Sequence, residues 1–222
     1  KRSSMSLINI GYSRNMSRDH NFMWDGRFQT LEQQVVEGPI EDPLEMDNTW
    51  EKVEADLRAH PTYPKMFREA FGIDCRKDIT RELVGKAIAQ FERTLNSAGS
   101  RYDEDQHVPG VYMSPQELRG FTLFLGDAAG APSPKDAECA HCHSFSAHKS
   151  LFARNEFSNN GLDSVGSFTE FTDNGYGDIT GNAPENGMFR EVTLRNIALT
   201  APYMHDGRFA TLEDVVDHYA TG

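Results

Sequence analysis

Two cysteines and a histidine lie close together in the run Cys139-Ala-His-Cys142-His143. Two thiols three positions apart, followed directly by an imidazole, form the spacing through which a c-type haem is attached. The sulfur atoms bond covalently to the haem vinyl groups, and the adjacent imidazole then reaches the iron as its proximal ligand. The sequence therefore predicts one haem c on this chain, with its iron coordinated by His143.

Zinc binding and thiol redox chemistry fit the cysteine pair less well. A structural zinc site needs four nitrogen or sulfur ligands, yet the one further cysteine, Cys75, lies 64 positions before Cys139. A thioredoxin-type redox pair needs a βαβ pattern around it, and none is visible. Cys75 is most simply a buried or free thiol.

Composition limits the architecture and the partners. A chain of 222 residues fits one large domain or two small ones of about 100 residues each. Lys and Arg number 22 against 34 Asp and Glu, which gives a net charge of −12 and argues against a nucleic acid partner. A basic protein, a small molecule or a merely solvated acidic surface all fit this charge. No apolar run approaches the about 18 residues of a membrane helix.

One stretch of the sequence occurs twice. Residues 25–32 recur as 206–213, 181 positions later, and upstream of them residues 6–10 match 193–197 at an offset of 187. A common loop-to-helix device, with an Asp-Gly turn and a Thr cap, would explain one copy. Two copies with matching flanks indicate two related domains.

The repeat also predicts what precedes this sequence. His143 lies 53 residues before Asn196, and the same spacing counted back from Asn9 puts a second haem-attachment motif about 45 residues before Lys1. Since the chain starts in mid-motif and without Met, we expect a processed or truncated product.

The expected fold is mostly α, with two cytochrome c-like haem domains and long irregular loops. Residues 1–105 would be the remainder of the N-terminal haem domain without its own attachment motif, and 106–222 the C-terminal haem domain. Apolar spacing, Gly stops and capping boxes predict helices over residues 48–60, 63–71, 80–95 and 114–125.

Three further expectations concern packing and connections. The helix that starts at Thr80 should bury a stripe formed by Leu83, Val84, Ala87, Ile88, Phe91 and Leu95. Residues 97–113, polar and interrupted by Gly and Pro, should form the linker between the domains. Residues 155–187, rich in Asn, Gly, Asp and Ser, should form a long loop of the kind that wraps a cofactor.

Several motifs, in this order, resemble the bacterial dihaem cytochrome c peroxidase and MauG family. They are Trp24-Asp-Gly-Arg27, Gly38-Pro39, Leu44-Glu-Met46, the cysteine motif, Thr193-Leu-Arg-Asn196 and Leu199-Thr-Ala-Pro-Tyr-Met-His-Asp-Gly207. The resemblance covers nearly the whole chain. It implies two c-type haems in two similar, mostly helical domains, one haem reacting with hydrogen peroxide and the other relaying electrons.

The resemblance also assigns catalytic roles. It puts Trp24 between the two haems, where an aromatic ring can bridge electron transfer, and makes Glu45 the distal acid of the peroxidatic haem, with Gln34 and Pro39 as neighbours. Splitting an O–O bond needs a group that takes a proton and returns it to the leaving oxygen. A half-buried core Trp and a solvated loop carboxylate are the alternatives.

Metal ligands follow from the same resemblance. The carbonyl oxygens of Thr200 and Pro202 match positions that help to hold a calcium ion between the domains, which suits a hard cation. Ser3 stands where the family has an Asn ligand. An ordinary Pro-containing turn is the alternative for this segment.

The sixth ligand of the His143 haem is assigned to Tyr219, 19 residues after Thr200. The MauG-like branch has Tyr at this position, whereas peroxidases that accept electrons from small cytochromes have Met. Rival ligands are Met204 and His218, with His205 and His148 weaker, and a Tyr that merely packs on its helix is the further alternative. The remaining histidines are expected at the surface: His20, His60, His107 and His141.

The resemblance implies a haem-dependent peroxidase that reduces hydrogen peroxide near Glu45, with electrons relayed through Trp24 from the His143 haem. A MauG-like oxidase of a protein residue and a non-enzymatic electron-transfer cytochrome c are the alternatives. The donor would be a small cytochrome c or cupredoxin, and a homodimer is left open. Because haem is attached covalently where exported apoproteins mature, the motif favours the periplasm.

Overall fold

The structure, a computed structural model, describes residues 1–12, 22–126, 137–144, 151–167 and 169–221. Its regular structure is mainly helical with little sheet, as expected. The helices are α1 (Leu31–Glu37), α2 (Trp50–Ala59), α3 (Tyr63–Phe71), α4 (Arg81–Glu92), α5 (Arg101–His107), α6 (Pro115–Leu125), α7 (Gly177–Thr180) and α8 (Leu212–Thr221). Two short strands, β1 (Phe157–Ser158) and β2 (Phe189–Arg190), pair antiparallel with Phe157 opposite Arg190. Over the described ranges, no helix is long and apolar enough to cross a membrane.

The first half of the chain has a core of two clusters of buried side chains. One contains Ile10, Phe22, Phe28, Leu31 and Ala89, and the other contains Ile40, Trp50, Phe67, Ile79 and Val84. Helices α1 and α4 approach closely at Gly85, where an added Cβ would lie 2.7 Å from Val36 Cγ2. The buried indole N–H of Trp50 donates to the Val36 carbonyl over 2.8 Å, so its polar atom is satisfied.

The expected apolar stripe of α4 is partly wrong. The helix buries Val84, Gly85 and Ala89, whereas Phe91 is 62% exposed and Ile88 is 36% exposed. Two small residues, Gly85 and Ala89, form the edge that fits against α1, and this contact rotates the larger side chains outward. Close helix approach has overridden hydrophobic periodicity here.

The segment expected as a linker contains helix α5. Ser100 caps it, since its hydroxyl accepts from the Asp103 N–H and the Asp103 carboxylate accepts from the Ser100 N–H. The buried carboxylate of Asp105 then accepts backbone N–H groups of residues 110–113. Asp103 also pairs with Arg195, 2.6 Å away. Residues 97–113 are therefore fastened to the second half of the chain.

Two more expectations, the capping box before α6 and the long loop over residues 155–187, hold with additions. The capping box at Ser114 and Glu117 is formed and starts α6. Residues 155–187 are largely irregular, as expected, but they contain β1, α7 and a short turn at Ala183–Glu185.

Both copies of the repeat fold into the same turn. The chain passes through left-handed backbone at Met23 and Gly26, with φ of 68° and 70°, and at Met204 and Gly207, with φ of 69° and 73°. Left-handed backbone is uncommon for Met. Finding it at matched positions shows that the sequence repeat is a structural repeat.

The acidic and basic residues of each turn are also equivalent. The Asp25 carboxylate accepts from the N–H and Nε of Arg27, and the Asp206 carboxylate accepts from the same two groups of Arg208. Each Asp therefore stabilises its turn through hydrogen bonds from the Arg two positions later.

Ser97 joins the two copies further upstream. Asn9 and Asn196 both adopt left-handed backbone, with φ of 61° and 60°, and each precedes a 3-10 turn. The Asn9 side chain bonds to the N–H and C=O of Ser97, and the Ser97 hydroxyl donates to Asn196 Oδ1 over 3.3 Å. One residue thus holds equivalent positions of both copies.

Candidate haem-binding site

The haem-attachment segment is a tight turn with accessible sulfur atoms. Cys139–His141 forms a single 3-10 turn, and the His143 N–H donates to the Cys139 carbonyl over 2.8 Å. The thiols of Cys139 and Cys142 are free and half-buried. Burial, followed by the nearby Cys142, raises the pKa of the Cys139 thiol. Both sulfur atoms are available for thioether bonds.

The His143 ring is oriented for an iron ligand. Its Nδ1 lies 2.9 Å from the carbonyl oxygen of Phe152. Because a carbonyl can only accept, Nδ1 must carry the proton, and the lone pair of Nε2 is left for a metal. Burial lowers the pKa of His143 against the opposing hydrogen bond to Phe152, which favours the neutral ring that coordinates iron.

A buried carboxylate organises the neighbourhood of Cys142. Glu191 is 5% exposed and accepts from Arg154 Nη2 over 2.7 Å and from the Ser158 hydroxyl over 2.6 Å. The Ser158 oxygen lies 3.8 Å from Cys142 Sγ, and the Arg154 N–H donates to the Cys142 carbonyl over 3.3 Å. The second cysteine is thus fixed from both its side chain and its backbone.

An apolar surface lies beside the attachment turn. Helix α6 contacts this turn, yet it buries none of its residues and leaves Leu123 45% exposed. The Phe124 and Tyr102 rings meet Phe152 edge to face, with centroids 5.9 and 5.0 Å away. A flat apolar group would cover such a surface. The donor set and this surface both fit haem c.

Tyr219, the expected sixth ligand, lies on α8. Its side chain is 60% exposed. Desolvation raises the pKa of the phenol, contact with the Asn160 side chain lowers it, and the Cys142 and Cys139 thiols raise it further. The phenol therefore has the Asn160 side chain as its polar neighbour. Met204, one of the rival ligands, contacts the same side chain, because its Sδ is 3.6 Å from Asn160 Nδ2.

The remaining histidines are engaged elsewhere or exposed. His205 is buried, its Nε2 lies 2.6 Å from Asp163 Oδ2, and its ring stacks on Phe189 with centroids 3.6 Å apart. The His218 ring packs against Phe209. His60, His107 and His141 are exposed, as expected. His20 and His148 lie outside the described residues. Cys75 is a free, exposed thiol.

Trp24 lies where the two halves of the chain meet. Its Nε1–H donates to the Ser3 carbonyl over 2.9 Å, and its own carbonyl accepts from the Arg190 N–H over 2.9 Å. The indole lines a cavity of about 90 Å³ together with Ser3, Thr200 and Pro202. The structure therefore brings Trp24 and the three positions of the expected calcium site together.

The two residues expected at the peroxide site occupy different surroundings. Glu45 is exposed in the turn that follows α1, where its N–H donates to the Asp42 carbonyl over 3.1 Å. Gln34 is on α1, and its side-chain oxygen is buried without a donor among the described residues. Pro39 is half-buried, and its carbonyl accepts from the Met46 N–H.

Comparisons with known proteins identify relatives of this chain. The family model described as di-haem cytochrome c peroxidase matches residues 1–107. The chain is 35% identical to the cytochrome c551 peroxidase of Nitrosomonas europaea, over 95% of this chain and 57% of that protein. It belongs to the dihaem cytochrome c peroxidase and MauG family. The methylamine utilization protein MauG of Methylorubrum extorquens is 33% identical, over 90% of this chain and 51% of that protein.

Solved structures of this family have the same fold. A MauG-like protein associated with microbial copper homeostasis superimposes with a TM-score of 0.77 at 31% identity, covering 97% of this chain and 61% of that one. The diheme peroxidase BthA of Burkholderia thailandensis gives a TM-score of 0.69 at 26% identity, over 89% of this chain and 51% of that one. The chain thus spans between half and two thirds of the length of these four relatives.

Sequence reasoning missed the residues that support the haem ligands. Phe152, Ser158 and Glu191 act through contacts between distant segments, and no motif singles them out. Asn160 lies beside Asn159 in the irregular stretch of residues 155–187, and nothing in the spacing separates the two. A tertiary structure was needed to find them.

Proposed function

We propose that this chain is part of a dihaem peroxidase that reduces hydrogen peroxide with electrons relayed through the His143 haem. The position of Trp24 carries this proposal. Its indole bonds to Ser3, and the Ser3 N–H donates to the His205 carbonyl over 2.7 Å. An aromatic ring of the first half is thereby connected to the turn of the second half that leads to Tyr219, which suits an electron relay between two haem domains.

At the attachment site, haem c would supply one-electron redox chemistry, held by Cys139, Cys142 and His143. The Phe152 carbonyl fixes the tautomer of His143 and makes its ring a stronger donor. The other haem would be held by a motif of the same type, expected upstream, and the two cytochrome c-like domains would correspond to residues 1–105 and 106–222.

At the peroxide site, Glu45 would take a proton from one peroxide oxygen and return it to the leaving oxygen. An exposed position in a turn allows its carboxylate to exchange protons with solvent. The buried side-chain oxygen of Gln34 is an acceptor that could orient a peroxide O–H group. The two residues would then divide the work between proton transfer and substrate orientation.

A MauG-like oxidation of a protein residue is the second candidate, and Tyr219 favours it. A phenolate is a harder, anionic ligand than a thioether and should stabilise ferric iron, whereas Met raises the haem potential. A low potential favours storage of two oxidising equivalents, which a protein substrate could consume. Either activity fits a periplasmic protein with a small redox protein or a protein substrate as its partner.

Calcium between the domains is a further part of this proposal. Thr200 and Pro202 line the cavity beside Trp24, and Ser3 lines it where the family has an Asn. Carbonyl and hydroxyl oxygens suit a hard cation. The carbonyl oxygens of Thr200 and Pro202 would hold the cation. The Ser3 hydroxyl donates its proton to the Met204 carbonyl over 3.1 Å and keeps its oxygen lone pairs for a further contact.

Peroxide turnover by the mature protein tests the proposal, with a reduced small c-type cytochrome as the electron donor. Glu45→Gln should lower turnover by about 10²-fold or more, because proton transfer to the leaving oxygen is lost. Glu41→Gln, an exposed carboxylate of the same loop, is the matched control and should leave turnover unchanged. Unchanged turnover in Glu45→Gln would refute the role of Glu45.

A further inference from the structure

Asn160 contacts two candidate iron ligands at once. It lies in the irregular segment between β1 and α7, and its Nδ2 is 3.6 Å from Met204 Sδ. Against the larger effect of desolvation, which raises the pKa of the Tyr219 phenol, a hydrogen bond with the same side chain lowers it. A thioether and a phenol, the two ligand types that distinguish branches of this family, therefore meet at one amide group.

The orientation of this amide is fixed by its own oxygen. The Leu162 N–H donates to Asn160 Oδ1 over 3.5 Å, which directs the NH₂ group toward Met204 and Tyr219. The segment is pinned to the second copy of the repeat as well, since Arg208 donates to the Leu162 carbonyl over 2.8 Å and His205 bonds to Asp163. Asn160 is thus held by its own bond from the Leu162 N–H and by the contacts that fix Leu162 and Asp163.

The chemistry of the amide distinguishes the two ligands. An NH₂ group has two N–H donors and can serve both neighbours. A thioether whose lone pair accepts a hydrogen bond is a poorer donor to iron. A phenolate has lone pairs for both the iron and an N–H, and a charge-assisted hydrogen bond stabilises it further.

We propose that Asn160 is a positioning residue that selects Tyr219 over Met204 as the sixth ligand of the His143 haem. The proposal rests on the proposed function, in which Tyr219 is that ligand. Loss of the amide donors frees the sulfur of Met204 and withdraws support from the phenolate. The Met204 sulfur would then be able to bind the iron in place of the phenolate, which would raise the reduction potential.

Spectroscopy of the mature ferric protein tests this assignment. Asn160→Leu should introduce the near-infrared band of an iron–sulfur(Met) bond, change the electron paramagnetic resonance spectrum and raise the reduction potential. Asn160→Asp keeps the acceptor for Leu162 but loses the N–H donors, and should act in the same direction. Adding Met204→Leu to Asn160→Leu should remove the new band, and Asn159→Leu is the control that should leave the spectrum as it was.

The possible outcomes distinguish a failure of this inference from a failure of the proposed function on which it rests. A spectrum and a potential unchanged in both Asn160 variants, together with a spectrum altered in Tyr219→Phe, would overturn the role of Asn160 alone. A spectrum unchanged in Tyr219→Phe would remove Tyr219 as a ligand and the inference with it.

Discussion

The two copies of the repeat share one turn but use it differently. In the first copy, α1 follows the turn and is buried on α4, with Leu31 2% and Val35 4% exposed. In the second, α8 follows the turn and leaves Val216 65% and Tyr219 60% exposed. The turn is therefore a common scaffold, and the surroundings of the helix after it decide whether that helix is buried in the core or left exposed.

Two aromatic residues at matched positions of the turn also differ in their surroundings. Counting 181 positions from Trp24 reaches His205. The indole bonds to Ser3 at the junction of the two halves, while the imidazole is buried on Phe189 and bonded to Asp163. The same backbone turn thus places an indole at the junction of the two halves in one copy and a buried imidazole in the other.

The largest change in stability should come from substitutions in the helices that follow the turns. Leu31→Ala should lower the free energy of unfolding by about 2–5 kcal/mol, because it empties a fully buried site. The equivalent Leu212→Ala should cost about 1 kcal/mol, since that side chain is only half-buried. Urea unfolding of the mature protein measures both. Equal losses would show that α8 is as deeply packed as α1 and would contradict the difference in burial between the two helices.

A smaller effect concerns Arg2, which pairs with Asp25 of the first turn and with Asp173 of the second half, 2.7 Å away. The hydrogen bond from Arg2, against desolvation, lowers the pKa of Asp173 from 3.8 to about 2. A lowered folded-state pKa adds stability above the unfolded value, and this is lost as pH falls from about 4 through 2.

Asp173→Asn should therefore flatten the fall in stability between about pH 4 and pH 2, by about 1–2 kcal/mol in total. Unfolding measured at several pH values in low salt checks this. Asp178→Asn, in the neighbouring helix α7, is the control. A variant that keeps the parent slope would show that Arg2 does not fasten the first turn to the second half through Asp173.

The smallest effect should come from Ser97. Its backbone N–H and C=O bond to the Asn9 side chain, and its hydroxyl donates to Asn196 Oδ1. Ser97→Ala removes only the second contact and should cost about 0.5–1.5 kcal/mol. Hydrogen exchange should then increase in the turn at Ile197–Leu199 and remain unchanged at Ile10–Tyr12. Equal changes in both turns would mean that Ser97 couples the copies rather than supporting each separately.

Residues whose chemistry demands a fixed spacing were predictable from the sequence. The cysteine motif, the repeat and the caps at Thr30 and Ser114 are local, because each depends on residues a few positions apart. The family followed from the order of such motifs. Helix α5 could also have been predicted, since Ser100 and Asp103 form a capping box.

Certain features depend instead on contacts that no local pattern contains. The face that α4 buries is set by Gly85 against α1, and the tautomer of His143 is set by the Phe152 carbonyl. Asn160 differs from Asn159 only in what lies opposite its side chain. Such residues are selected by tertiary packing, so spacing alone cannot distinguish them.

Covalent attachment of haem to the cysteine motif can be measured by peptide mass mapping of the mature protein. We expect the proteolytic peptide containing residues 139–143 to carry the mass of one haem, and Cys139→Ser combined with Cys142→Ser to abolish it. A peptide recovered from matured protein with both thiols unmodified would contradict the haem site, and with it the roles assigned to His143 and Tyr219.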